Sequence, residues 1–242
     1  MAAHNPYEKT RAQYVKSAGF ESEAALVKAI IACVARARRR DYRVELEVDA
    51  GVGVADLVLA KRSPRSAESL QSVAMVSPRL AVLLSQGVGD AIKSRAELAA
   101  FLGTSEGAAQ RVIARLSAAG LAAHSRDSLT ILGLRTPPYA RLIAVEAKIS
   151  DWRRVLIQAY RNLQFADESW VVMDHVFARP AIAQLDRFRA AGVGLASVER
   201  GRGLFIHHAA TRQGPMSPAK RWQAQAVLSS RVLTRRIASD AG

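Results

Sequence analysis

From Glu21 to Arg40 the apolar residues Ala25, Leu26, Ala29, Ile30, Cys33, Val34 and Ala37 recur at the intervals of one helix face, and Ser22 stands before them as a cap. The period then changes. Tyr42–Val48 (YRVELEV) alternates, Asp49-Ala-Gly-Val-Gly53 breaks the chain, and Val54–Leu59 (VADLVL) resumes as an apolar strand, so the two runs predict a β-hairpin. Ser63–Pro78 is rich in serine, contains two prolines and has little periodicity, which predicts a linker.

Beyond it, Arg79–Gly87, Ser94–Leu102 and Ser105–Ala118 return to helical spacing, and Leu121–Leu132 reads as two short strands about a polar turn. After Thr136-Pro-Pro138, Leu142–Ala147 reads as a strand, Trp152–Ala166 as a helix and Ser169–Met173 as a strand. Strand, helix, strand implies a parallel crossover. Pro180 opens a helix through Ala191, and Val193–Val198 with Leu204–His207 complete the sheet. The α/β pattern of the first 62 residues thus resumes after about residue 136, with a helical unit between. The expected organisation is a core in two parts (1–62 and 136–208), a linker at 63–77, an insertion at 78–135 and a basic C-terminal tail at 209–242.

Composition narrows the classes. Half of the 242 residues are hydrophobic, enough for a core, which excludes disorder as the main state. The balance of 35 basic against 21 acidic residues leaves +14 and points to a polyanionic partner. Cys33 is the single cysteine, so intrachain disulfides and thiolate zinc clusters are excluded. No Walker A, G-x-S-x-G, H-E-x-x-H or Rossmann glycine pattern occurs. The N-terminus does not resemble a signal peptide, and no run approaches the roughly 18–20 apolar residues of a membrane span, so a cytoplasmic, soluble protein is expected.

Candidate chemistry lies in two strands. In Leu142-Ile-Ala-Val-Glu-Ala-Lys148, Glu146 and Lys148 are two apart and share a sheet face. Asp56 is the one charge in Val54–Leu59, where burial of its carboxylate calls for a compensating cation. Carboxylates on neighbouring strands make a hard oxygen site suited to Mg²⁺ or Mn²⁺. An isolated E-x-K is usually an ordinary ion pair; order and context argue for more here.

A helix with Glu21 and Glu23, the Asp56 hairpin, the E-x-K strand and a helix carrying Gln158 and Tyr160 follow in an order that resembles the PD-(D/E)xK nuclease superfamily. The resemblance covers roughly residues 18–62 and 138–208 and implies a restriction-endonuclease-like α/β fold, a mixed sheet flanked by helices. It implies that Asp56 and Glu146 bind Mg²⁺, with Mn²⁺ able to substitute, helped by the Ala147 carbonyl, and that Lys148 positions or deprotonates the attacking water. Glu23, or alternatively Glu21, matches a first-helix acid that these enzymes use as a further ligand, and Gln158 matches a glutamine on the helix after the lysine strand. Ala55 departs from the pattern, standing where a proline often precedes the aspartate.

Within the insertion, Ser94–Gly103 followed by Thr104–Ala122 resembles a winged helix-turn-helix, which implies Ser105, Gln110, Arg111 and Arg115 on a DNA-reading helix and Arg126 on the wing. Such units also serve as protein-binding modules. Arg200–Gly242 carries eight basic residues against Asp240 alone, a source of sequence-independent phosphate affinity or a solvated basic helix. The expected function is a metal-dependent DNA endonuclease, able to act as a homodimer because one site cuts one strand. The alternative is a non-cleaving DNA-binding regulator or assembly protein on the same fold.

Overall fold

The computed structural model describes residues 18–37, 41–64, 69–74, 76–77, 80, 83, 92–125, 128–132 and 137–240. Helix α1 (Glu23–Arg36) begins at Ser22, whose hydroxyl accepts from the Ala25 amide at 3.2 Å, as the capping pattern predicts. Strands β1 (Tyr42–Asp49) and β2 (Val54–Arg62) form the expected antiparallel hairpin. The segment expected as a linker instead holds a short helix, α2 (Ser69–Ala74), because Leu70, Val73 and Val76 recur every three residues and are all buried.

Helices α3 (Arg95–Leu102) and α4 (Glu106–Ala118) follow, joined through Gly103 in the left-handed conformation at φ 61°. The short strands β3 (Ala122–His124) and β4 (Leu129–Ile131) pair antiparallel, matching the two strands expected about a polar turn. Of the helix expected at 79–87, Leu80 and Leu83 are described, both buried with α3, α4 and the small hairpin in one apolar cluster.

The chain then returns to the main sheet with β5 (Tyr139–Lys148), helix α5 (Trp152–Asn162) and β6 (Glu168–Asp174), and β5 and β6 are parallel, as the crossover reading requires. The single helix expected from Pro180 to Ala191 is two, α6 (Arg179–Ile182) and α7 (Leu185–Ala191), separated at Ala183 and Gln184. Strands β7 (Gly194–Glu199) and β8 (Gly203–His208) close an open, mixed sheet of six strands in the order β1-β2-β5-β6-β7-β8.

Alternation along β2 and β5 divides the core. Leu57, Leu59, Ile143 and Val145 meet Leu26 and Ile30 of α1 on one face, while Val58, Ala60, Leu142 and Ala144 lie on the other. That second face is covered partly by helix α8 (Pro218–Asp240), so this part of the segment expected as a basic tail packs on the sheet. Ala224 and Leu228 enter the sheet's core, whereas Ala226 and Trp222 pack into the inserted unit's core. One helix therefore joins the two. Gln225, fully buried, pairs with Tyr139 like a strand neighbour: its Oε1 accepts from the Tyr139 amide at 3.0 Å and its Nε2 donates to the Tyr139 carbonyl at 2.8 Å. Among the described residues no helix is long and apolar enough to cross a membrane.

Candidate active site

Antiparallel register sets Asp56 against Glu146. The β2–β5 ladder pairs Leu57 with Val145, so the next residues outward are Asp56 and Glu146, on one face of the sheet. Their backbones have separated at that point, and Asp56 Oδ2 takes the freed Ala147 amide, accepting its hydrogen bond at 2.8 Å. Asp56 thus ends the ladder with its own side chain.

Glu146 is 3% exposed. Its Oε1 accepts from Asn162 Nδ2 of α5 at 2.6 Å. Burial, reinforced by the neighbouring Asp56 carboxylate and opposed by the Asn162 amide, pushes the Glu146 carboxyl up to about 8. Asp56 is also raised, chiefly by burial and then by Glu23, against the lowering influence of the Ala147 amide and Lys148. Two carboxyls side by side with little solvent raise each other's cost of ionisation, and a cation between them removes it.

Lys148, two residues beyond Glu146, reaches Glu23 at the start of α1, with Nζ 2.6 Å from Oε1. Glu23 rather than Glu21 is therefore the first-helix acid at the site. Its carboxylate serves the lysine, and among the described residues no three or more His, Cys, Asp or Glu side chains gather as a metal-binding group. The donors that converge are two carboxylates and the strand-end backbone around Ala147. Gln158 is half-buried on α5, one turn before Asn162, and is not hydrogen-bonded to either carboxylate. Asn162, the residue that does touch Glu146, was not expected from the sequence. Its only signal is helical spacing, since it lies four residues after Gln158 and residues four apart share a face.

In the inserted unit, Gln110, Arg111 and Arg115 are exposed on the face of α4 opposite Ala109, Ile113 and Leu116, which are buried. Ser105 caps α4, accepting from the Ala108 amide at 3.3 Å. Arg126 lies outside the described residues.

A second polar chain lies toward the β7–β8 edge. His175 Nδ1, Ser197 Oγ and His207 Nε2 are linked at 2.8 and 2.7 Å. Ser197 is fully buried, and burial drops His207 to about 4, so these groups serve the packing of β6, β7 and β8 as neutral hydrogen-bonding partners.

Comparison of the chain with protein families, curated proteins and solved structures finds no match.

Proposed function

We propose that this protein is a Mg²⁺-dependent DNA endonuclease with a PD-(D/E)xK-type site on a restriction-endonuclease-like sheet. The observation that carries the reading is the convergence of Asp56, Glu146 and Lys148 at one end of β2 and β5, where the buried Glu146 carboxyl beside the half-buried Asp56 calls for a cation. Mg²⁺ keeps much of its water and needs only one or two carboxylates from the protein, so Asp56, Glu146 and the Ala147 carbonyl suffice without a third acid. Such an ion, when bound, neutralises charge developing on the phosphate and makes its water a better nucleophile.

The chain's own residues do the rest. The Ala147 amide fixes Asp56 in position, and Asn162 orients Glu146 from behind. Lys148, held by Glu23, faces the same end of the sheet and orients the attacking water in line with the scissile bond. The inserted unit acts as a winged helix, presenting Gln110, Arg111 and Arg115 to duplex DNA. Cutting both strands takes two copies of the chain.

Nicking of supercoiled plasmid by the purified protein tests this, with Mg²⁺ or EDTA and with Asp56→Ala and Lys148→Ala measured in parallel. The expected result is Mg²⁺-dependent nicking that falls by at least about a hundredfold in each variant. DNA affinity stays within about threefold, because these groups act on the transition state more than on binding. DNA binding without metal-dependent nicking would instead favour a non-cleaving regulator.

A further inference from the structure

At the other end of the β1–β2 hairpin an open cavity of about 770 Å³ is lined by Arg43, Lys61, Arg62 and Arg235, with Tyr42 and Asp41 at its rim. We propose that this cavity is a second ligand site, built for a phosphate monoester and separate from the Asp56–Glu146 site. Arg62 is six residue steps along β2 from Asp56, a distance of roughly 20 Å in a strand.

Three features point to an anion. The first is charge: among the described lining residues Arg43, Lys61, Arg62 and Arg235 face one carboxylate, Asp41, with Glu45 alongside, paired to Arg43 and Arg235. The second is preorganisation. Glu45 is buried behind the cavity wall, and both its oxygens accept from Arg235, at 3.0 and 2.9 Å, while Oε1 also accepts from Arg43 Nε. Two guanidinium groups are thereby held in place with further N–H donors to offer, which suits the fork geometry of phosphate recognition.

The third feature is the Tyr139 hydroxyl. It is fully buried behind the lining residues without a hydrogen-bond partner, and Arg43, Arg62 and Arg235 of the cavity wall act on it together with the Glu45 carboxylate. A buried donor with no acceptor lacks what an anion's oxygen supplies. The volume lies within the range of small-ligand sites. The ligand is therefore a terminal phosphate, from a free nucleotide or from a 5′-phosphorylated nucleic-acid end. The site binds phosphate whether or not Asp56 and Glu146 cleave DNA.

The test uses the full chain in EDTA, which keeps the carboxylate site silent. Deoxyadenosine monophosphate and deoxyadenosine are titrated by calorimetry, and a short duplex with 5′-phosphate or 5′-hydroxyl ends by fluorescence anisotropy. The expected result is binding that requires the phosphate and weakens at least about tenfold in Lys61→Ala/Arg62→Ala, substitutions at a half-buried and an exposed position. Tyr139→Phe, which removes one oxygen from a packed ring, is expected to weaken it about threefold or more while the melting temperature holds. Binding of the nucleotide identifies a small-molecule source, and preference confined to the phosphorylated duplex identifies a nucleic-acid end. Absence of phosphate-dependent binding to either probe, or equal binding by wild type and both variants, would overturn the proposal.

Discussion

At Asp56 two ladders release the same residue. On the β5 side the register ends at Leu57, and on the β1 side pairing runs from Leu46 to Val48 and skips Glu47, which takes a positive φ of 49°. A non-glycine residue in that region is strained and persists only where its surroundings hold it. Arg231 of α8 does so, donating to the Leu46 and Glu47 carbonyls. The backbone thus leaves Asp56 free to direct its side chain at Ala147 and Glu146. The positions of Asp56, Glu146 and Lys148 were legible because two-residue strand spacing and hairpin adjacency are sequence properties. Asn162 was not, because which helical residue meets a buried carboxyl depends on how α5 rotates over the sheet.

The raised Glu146 carboxyl makes a prediction with a definite sign. With a folded value of about 8 against 4.5 unfolded, the native state holds more protons than the unfolded chain between those limits. Its contribution is therefore fully present below about pH 4.5 and lost as pH rises through 8. In metal-free buffer, denaturant unfolding should show stability falling by on the order of 1 kcal/mol per pH unit between pH 5 and 8. Glu146→Gln is expected to flatten that slope. An equally steep fall in the variant would show that other groups govern it.

Among the elements, α8 departs most from the sequence reading. Its buried positions include Ala224, Gln225, Ala226 and Ser229, residues too small or polar to register as an apolar stripe, and its arginines suggest a solvated tail. Those arginines are structural ties. Arg221 donates to the Phe165 carbonyl and pairs with Asp167 at 2.8 Å, and Arg235 grips Glu45. Segment 63–78 misled for a related reason, since serine content concealed the three-residue recurrence of Leu70, Val73 and Val76. Strong alternation and a strand-helix-strand order, by contrast, made the hairpin and the β5–β6 crossover readable. Leu228 is fully buried, so Leu228→Ala should cost about 2–5 kcal/mol in equilibrium unfolding. A cost below about 0.5 kcal/mol, the size of a neutral surface change, would mean that α8 is dispensable to the core.

For the molecule as a whole, α8 contributes to both the inserted unit's core and the sheet's core, so on the proposed reading DNA bound by one would be presented to the other at a set angle. The exposed side of α4 and the Asp56–Glu146 end of the sheet would then share a duplex. Arg111→Ala should weaken binding to a preferred sequence by about 1–3 kcal/mol while leaving random duplex nearly unchanged. Isotherms on matched specific and random duplexes at several salt concentrations measure both. Unaltered affinity and preference would assign α4 to a protein partner.

Whether Asp56 and Glu146 hold one divalent cation between them is decided by titrating Mn²⁺ into the protein and following the free ion by electron paramagnetic resonance. Wild type is expected to bind Mn²⁺ in competition with Mg²⁺, and Asp56→Asn and Glu146→Gln should each weaken that binding by at least about tenfold, as loss of a ligating carboxylate does. Mn²⁺ binding that is absent in wild type, or unchanged in both variants, would contradict a metal-dependent site at these residues.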